Sequence, residues 1–170
     1  FNSPHGACKR CTGLGVEMQV DPALVIPDRT LSLAEGAIEP YTHASTSGMW
    51  YNRFFESLAE EYNFSVDTPV SELTETQLNY VLYGTGTKRL DVRYNTNKGQ
   101  SRLYKSRFEG VINNLQRRYR DTDSEHRRTQ IAHYMAAVAC PDCLGQRLRP
   151  EALKVLIGDK NIDLVAQLSV

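Results

Sequence analysis

Apolar side chains recur at three- and four-residue spacings along much of the chain, and this period predicts amphipathic helices. The clearest stretch is 49–62, where aromatic and leucine side chains share one face and Arg53 and glutamates share the other. We interpret this stripe as core-facing rather than as a base-stacking platform, because its acidic opposite face would repel phosphate. The same spacing over 108–119 predicts a second helix. A third follows the capping residues 121–124 and runs on to Val138.

Between these helices the pattern predicts a β-hairpin. A capping-box sequence at 74–77 begins a helix, and Gly84 ends it. Over residues 89–94 the period changes to two, since apolar and charged side chains alternate, as in a strand with two different faces. Residues 95–99 supply a turn, and residues 102–105 begin the return strand. We therefore expect a hairpin with one basic face.

Weaker signals complete the expected fold. Prolines bound residues 21–27 and favour an extended connector, whereas residues 31–38 favour a short helix. The Ser- and Thr-rich segment 43–48 is typical of a loop, and apolar alternation over 153–157 predicts a strand. The predicted fold class is α+β: mostly helical, with one β-hairpin.

Composition favours a folded protein of one domain, or one domain with a small annex. The chain has 170 residues, of which 41% are hydrophobic. No apolar run approaches the roughly 18 residues that span a bilayer, and no signal-peptide pattern is present. We therefore expect a cytoplasmic protein with no membrane partner. Because the first residue is Phe1, we also expect a longer parent protein.

The net charge of zero conceals a strong asymmetry along the chain. Residues 1–87 carry 4 basic and 11 acidic side chains, whereas residues 88–128 carry 12 basic and 5 acidic ones. Residues 129–170 carry 4 of each. A local excess of seven positive charges is too large to be neutralised by pairing within the segment, although a solvated, ion-paired face remains the alternative. The asymmetry predicts a surface for an anionic partner.

The predicted nucleic-acid contacts are the cations of the hairpin and of the helix after it. They are Arg89, Arg93, Arg102, Lys105, Arg107, Arg117, Arg118 and Arg120. Arginine suits this role because its planar fork grips phosphate oxygens, and such binding weakens steeply as salt rises. No recognition-helix, zinc-finger or RNA-binding signature is present, so we expect backbone and shape contacts rather than base readout.

All four cysteines occur in two C-x-x-C pairs, and each pair is followed by a glycine-containing turn. The pairs are Cys8 with Cys11 and Cys140 with Cys143, and 128 residues separate them. Such turns let backbone N–H groups point back at sulfur, and the positive φ that they require suits glycine. The pattern favours one Zn²⁺ held by all four cysteines, with everything between the pairs inserted into a zinc module.

Three other interpretations of the cysteines stay open. Each pair could form a disulfide, although nothing indicates export. A thioredoxin-like redox motif would need a helix after the first pair, and Gly13 and Gly15 oppose one. Two separate zinc sites, each completed by ligands beyond this chain, would use the same residues.

Several short motifs occur in a characteristic order. They are FNSPHGAC at residue 1, LSLAEGAI at residue 31, YGTG at residue 83, FEGV at residue 108, NLQRRY at residue 114 and CPDCLGQRL at residue 140. Together they cover essentially the whole chain, and they resemble the UvrA family of bacterial nucleotide excision repair. That family comprises dimeric ABC-type ATPases with zinc modules, a UvrB-docking domain and an insertion domain thought to clamp duplex DNA.

The resemblance implies a division of this chain and a set of partners. Residues 1–16 and 137–150 would be two halves of a zinc module, residues 17–136 its DNA-contacting insertion domain, and residues 151–170 the return towards the ATPase signature region. Damaged double-stranded DNA, UvrB and a second copy of the parent would be the partners. In the family a further C-x-x-C pair precedes the first motif, so the ligand pairing of Cys8 and Cys11 stays open.

The resemblance does not imply an enzyme active site in this chain. Neither a G-x-x-x-x-G-K-[ST] phosphate loop nor a Leu-Ser-Gly-Gly signature occurs, so ATP would bind elsewhere in the parent and no catalytic residue is predicted. Two alternatives remain. The chain could be a protein-docking domain for UvrB or the partner subunit, or a DnaJ-like zinc chaperone module, since residues 8–15 fit that C-x-x-C-x-G-x-G repeat.

Overall fold

The computed structural model describes residues 5–42, 47–95 and 101–168, and the chain divides into two compact units. One unit combines residues 1–19 with residues 136–170, and the other holds residues 20–135. The first unit is therefore discontinuous in sequence, because the whole of the second unit is inserted between its two segments.

Short helices and two-stranded sheets make up the described residues, so the predicted α+β class is confirmed. In chain order the elements are β1 (Val16–Val20), α1 (Pro22–Val25), α2 (Glu39–Thr42), α3 (Ser47–Tyr62), a 3₁₀ turn (Val70–Glu72), α4 (Glu75–Tyr83), β2 (Arg89–Asn95), β3 (Ser101–Arg107), α5 (Val111–Asp121), α6 (Glu125–Ala132), β4 (Met135–Ala139), α7 (Pro150–Leu153), β5 (Leu156–Ile157), β6 (Lys160–Asn161) and α8 (Ile162–Ala166). The sheets pair β1 with β4, β2 with β3 and β5 with β6. Among the residues described, no helix is long and apolar enough to cross a bilayer.

The core of the second unit is built on α3, as the aromatic stripe predicted. Its Tyr51, Phe54, Phe55 and Leu58 side chains are buried. The rings of Phe54 and Phe55 lie 5.4 Å and 6.1 Å from the ring of Phe108, measured between centroids. Burial of these aromatic rings supplies much of the hydrophobic stabilisation of this unit.

The predictions for α4 and for the hairpin are confirmed. Thr74 accepts a hydrogen bond from the backbone of Gln77, whose side chain accepts one from the Thr74 backbone, so the capping box is complete. Helix α4 ends at Gly84, and β2 and β3 pair antiparallel. Most of the predicted turn at 95–99 and most of the predicted loop at 43–48 lie outside the described residues.

The predicted helix at 31–38 is wrong, and these residues form a series of turns instead. The carboxylate of Glu35 accepts from the Ser32 N–H, and the Ser32 hydroxyl accepts from the Glu35 N–H. Gly36 then adopts a φ of +93°, which a helix does not allow. The Ser32–Glu35 bonds have the pattern of a capping box, but the positive φ of Gly36 prevents a helix from continuing after them.

Two prolines begin short helices that the sequence analysis did not predict. Residues 21–27 are not wholly extended, because Pro22 begins α1 and the Asp21 side chain caps it through the Ala23 N–H. Pro150 likewise begins α7, which ends at Leu153, the first residue of the strand predicted over 153–157. Leu156 and Ile157 of that predicted strand form β5. Proline fits the first helical position, since its missing N–H would have no helical partner there.

The predicted run of helix from residue 125 to Val138 is also wrong at its end. Helix α6 stops at Ala132, and residues Met135–Ala139 form β4. Strand β4 pairs with β1, which the sequence pattern did not reveal. A strand whose partner lies more than a hundred residues away carries little local signal.

Two glycines hold the base of the hairpin where α4 ends and α5 begins. Gly84 has φ +86° and ψ −174°, and Gly110 has φ +87° and ψ +154°. Almost only glycine occupies this region of backbone space. A Cβ on either residue would lie within 3.0 Å of backbone atoms of the opposite segment. The adjacent Thr85 N–H donates to the Phe108 carbonyl oxygen at 2.9 Å, so the two chain segments cross in direct contact.

Replacing Gly110 by alanine is expected to destabilise the fold by more than about 3 kcal/mol, because backbone on both sides would have to move. Gly86→Ala is the matched control, since Gly86 has φ +60° and no atom within 4 Å of the added Cβ. The control should cost only about 1–2 kcal/mol. Urea unfolding followed by circular dichroism measures both. Equal losses would contradict a tight backbone crossing.

Candidate metal centre and nucleic-acid interface

Four buried cysteine sulfurs form one cluster in the first unit. The Sγ atoms of Cys8, Cys11, Cys140 and Cys143 all lie within 4.8 Å of one another. Across the two pairs, Cys8 is 3.9 Å from Cys140 and Cys11 is 3.7 Å from Cys143. Among the described residues, these four cysteines are the side chains that lie close enough together to hold a metal ion.

Each C-x-x-C pair is followed by the same backbone turn. After Cys11 the φ angles of Thr12, Gly13 and Gly15 are +51°, +86° and +79°. At the equivalent positions after Cys143, the φ angles of Leu144, Gly145 and Arg147 are +50°, +87° and +67°. The two halves therefore repeat one local structure, although Thr, Leu and Arg must adopt a left-handed conformation that such residues rarely adopt.

Backbone hydrogen bonds cross between the two halves. The N–H of Cys8 donates to the Arg147 carbonyl oxygen at 2.8 Å, and the N–H of Cys140 donates to the Gly15 carbonyl oxygen at 2.9 Å. Outside the cluster, the Arg10 guanidinium contacts the carboxylates of Glu17 at 2.8 Å and Asp142 at 3.4 Å. Each turn thus positions the first cysteine of the opposite pair.

The geometry does not favour the disulfide and redox interpretations. All four cysteines are free, so neither C-x-x-C pair forms an internal disulfide in this structure. The residues after Cys11 form turns that lead into β1, not the helix that a thioredoxin-like motif requires. Four sulfur ligands in one buried cluster can hold a metal ion.

Burial and local hydrogen bonds give the Cys11 and Cys143 thiols different pKa values. Burial raises the pKa of Cys143 to about 11. Burial acts on Cys11 in the same direction, but hydrogen bonds from the Gly15 and Gly13 N–H groups and from Cys143 outweigh it and lower the pKa of Cys11 to about 7. The Gly15 nitrogen lies 3.2 Å from the Cys11 sulfur. Four adjacent thiolates would repel one another, so full ionisation of the cluster requires a cation among them.

The hairpin of the second unit places four predicted cations on one exposed face. Its register pairs Arg89 with Arg107, Asp91 with Lys105 and Arg93 with Leu103. Side chains two residues apart share a face, so Arg89, Arg93, Lys105 and Arg107 lie together. Leu103 is 62% exposed among these cations. Alternation along β3 would have revealed Leu103 as an apolar residue at a solvent-facing position.

The position of Arg102 differs from the expectation that the hairpin has a single basic face. It pairs with Tyr94, which places it on the same side of the hairpin as the buried Leu90 and Val92. Arg102 is nevertheless exposed. Alternation along β3 places Arg102 on the opposite face from Lys105 and Arg107, and the register then puts it on the side of Leu90 and Val92.

Helix α5 carries the other predicted cations, and they differ in their surroundings. Arg117 and Arg120 are exposed and Arg118 is half-buried. The Arg117 guanidinium donates twice to Glu109, at 2.7 Å and 3.1 Å, and holds the pKa of that carboxyl below its usual range. Glu109 also accepts from the Asn114 amide at 2.5 Å, so Arg117 is part of the frame at the start of α5.

Ion pairing neutralises only part of the cluster. Besides Arg117, the side chain of Arg93 lies 3.5 Å from Glu60 and that of Lys105 lies 3.9 Å from Asp91. These pairs are exposed, and such pairs contribute little to stability. Among the described residues the other five predicted cations have no carboxylate within ion-pair distance. These are Arg89, Arg102, Arg107, Arg118 and Arg120.

Arg127 is a cation that the predicted set did not contain. It lies on α6 and lines a cleft together with Arg117 and Arg118 of α5. No sequence spacing relates Arg127 to α5, because the turn between the two helices sets their relative direction. A count of charges could include Arg127 in the basic segment, but only packing places it beside the other two.

Known proteins match this chain over its whole length. A family model described as the UvrA DNA-binding domain matches residues 21–133. UvrABC system protein A of Halalkalibacterium halodurans is 46% identical over 170 residues, and that of Bacillus subtilis is 44% identical over 170 residues. Each comparison covers all of this chain and 18% of the relative, so the chain spans about a fifth of the length of these relatives.

A solved structure matches as well. The crystal structure of UvrA2 from Deinococcus radiodurans has a TM-score of 0.69 and 25% sequence identity to this chain. The match covers 98% of this chain and 21% of that one. Because the family model matches well over half of the residues and sequence and structure agree, this chain belongs to the UvrA family, with residues 21–133 matching its DNA-binding domain.

Proposed function

We propose that this chain is the zinc module and DNA-contacting insertion domain of a UvrA-type sensor of DNA damage. Residues 1–16 and 137–150 form the two halves of the zinc module. Residues 17–136 form the insertion domain, and residues 151–170 return towards the ATPase region of a longer protein. That longer protein binds ATP, UvrB and a second copy of itself through regions beyond this chain, and works in the cytoplasm. The chain itself carries no catalytic residue.

The proposal that this chain binds DNA rests on two positive charges that lie opposite each other on the hairpin. Arg89 and Arg107 are directly opposed on the exposed face of the hairpin, and neither has a carboxylate partner among the described residues. Like charges at directly opposed positions destabilise a sheet. An arrangement that costs stability is explained by an anionic ligand, which relieves the repulsion when it binds.

The binding mode follows from the residue types on this face. Arginine and lysine grip backbone phosphates without reading the sequence of bases. The weak pairs of Arg93 with Glu60 and of Lys105 with Asp91 exchange readily for phosphate contacts. Leu103 offers an apolar contact to base steps that a lesion has unstacked. The surface therefore suits a duplex recognised by its shape and deformability.

The proposed metal is one Zn²⁺ with Cys8, Cys11, Cys140 and Cys143 as its ligands. Tetrahedral zinc with Zn–S bonds of about 2.3 Å has sulfurs roughly 3.8 Å apart. The Cys8–Cys140 and Cys11–Cys143 distances of 3.9 Å and 3.7 Å fit that spacing. Four thiolates and no open position are typical of a structural site, so the metal stabilises the module and performs no chemistry.

Metal removal tests the proposed zinc centre. The chain purified without chelator is expected to contain one zinc per chain by elemental analysis. Its thiols should resist a colorimetric thiol reagent until a strong chelator is added, after which four should react, because the chain has 4 cysteines in all. Cys140→Ser should abolish stoichiometric zinc. Protein that lacks zinc, or thiols that react fully before chelation, would exclude the site.

Duplex binding across ionic strength tests the proposed interface. The double variant Arg89→Gln/Arg107→Gln is expected to reduce the slope of log K against log salt by about 1.8, which corresponds to two lost phosphate contacts. The same variant should unfold at equal or higher urea concentration than the wild type, because the cross-strand repulsion is removed. Fluorescence anisotropy with damaged and undamaged duplexes gives the slopes.

Lys154→Gln/Lys160→Gln removes the same charge from the first unit and serves as the control. It should leave the slope almost unchanged. If the two double variants lost equal slope, the effect would be one of net charge and not of this face. Duplex binding that did not depend on salt would instead favour a protein-docking role.

A further inference from the structure

Helices α5 and α6 enclose a small cleft that is lined largely by arginines. The cavity measures about 160 Å³, and its lining residues are Arg117, Arg118, Asp121, Thr122, Arg127 and Ile131. Three arginines and one aspartate therefore line the cleft. The apolar Ile131 is only 6% exposed and contributes an uncharged part of the wall. A cleft with an excess of positive charge attracts an anion.

The three arginines are not equivalent. Arg117 is committed to its bidentate pair with Glu109, at 2.7 Å and 3.1 Å. Arg118 and Arg127 have no carboxylate within ion-pair distance among the described residues. Arg118 is half-buried and Arg127 is exposed. Two arginine side chains from different helices thus line the cleft without a carboxylate partner among the residues described. Arg117 adds a third positive charge to the lining.

The frame of the cleft is held by contacts that do not use the guanidinium groups of these two arginines. The Arg128 guanidinium donates to Glu125 at 2.6 Å and to the Thr122 carbonyl oxygen at 2.8 Å. The Ser124 hydroxyl caps α6 by accepting from the Arg127 N–H at 3.4 Å. The turn between the helices is therefore fixed before any ligand arrives, which lowers the entropy cost of binding.

We propose that this cleft is a phosphate subsite, in which the Arg118 and Arg127 side chains bind one phosphate group. The inference rests on the proposed function, because it takes the natural ligand to be a backbone phosphate of duplex DNA. Planar guanidinium forks can donate two hydrogen bonds each to phosphate oxygens, and two forks from separate helices suit a tetrahedral oxyanion. Inorganic phosphate has the same chemistry and is the alternative source.

Arg127→Gln is the test variant, and Arg29→Gln is its control of equal charge in the same unit, at an exposed position remote in sequence from both helices. In duplex titrations across salt, Arg127→Gln should reduce the slope of log K against log salt by about 0.9, the value for one lost phosphate contact. Arg29→Gln should leave the slope unchanged. Equal slopes for Arg127→Gln and wild type, or equal losses in both variants, would overturn a DNA phosphate site. Thermal unfolding of both variants checks that the fold is retained.

A second measurement uses inorganic phosphate alone and separates this inference from the proposed function. Sodium phosphate is titrated against sodium chloride at constant ionic strength, and the guanidinium Nε–H resonances of Arg118 and Arg127 are followed by NMR. A saturable shift of the Arg118 Nε–H resonance that disappears in Arg127→Gln supports the cleft, even if the wild-type chain fails to bind duplex and the proposed function falls. Shifts that are absent, or that persist unchanged in the variant, overturn the cleft. Loss of the phosphate response with an unchanged DNA slope would assign the site to free phosphate and overturn the DNA assignment.

Discussion

A buried cluster of four cysteine sulfurs brings together two chain segments that lie 128 residues apart in the sequence. For a flexible chain, closing a loop of that length costs about 4 kcal/mol. The crossed backbone bonds at Cys8 and Cys140 contribute to closure, but each such bond contributes only about 1 kcal/mol. Structural zinc in a four-thiolate site contributes more than the closure costs, of the order of 10 kcal/mol. A metal of the proposed kind is therefore sufficient to hold the first unit together while the second unit stays inserted in it.

The second unit combines a rigid base with a charged surface that weakens its stability. The aromatic side chains of α3 and the glycine crossing at Gly84 and Gly110 determine where the hairpin begins. On that base, Arg89 and Arg107 repel each other across the strands. Natural proteins retain such local conflicts at functional surfaces and compensate elsewhere. A stable core thus permits a surface that keeps unbalanced positive charge.

The sequence was informative wherever the signal is local. The capping box at Thr74, the period of α3 and α5 and the alternation along β2 each depend on residues within a few positions of one another, and all three elements are present. The error at the end of α6 arose because a distant partner decides the outcome. Strand β4 exists because β1 lies beside it, and nothing between Met135 and Ala139 distinguishes that strand from an extension of α6.

The sequence by itself determined the ligand type of the metal centre, the concentration of positive charge in residues 88–128 and the aromatic stripe that forms the core, because each is a property of residue identity and spacing. Only the tertiary structure decided which sulfurs lie together, that Arg89 lies directly opposite Arg107 across the hairpin, and that Arg127 shares a cleft with Arg117 and Arg118. The physical reason is the same in each case. Strand register and helix packing are set by contacts between residues remote in sequence, and a one-residue change in register would move a side chain to the opposite face.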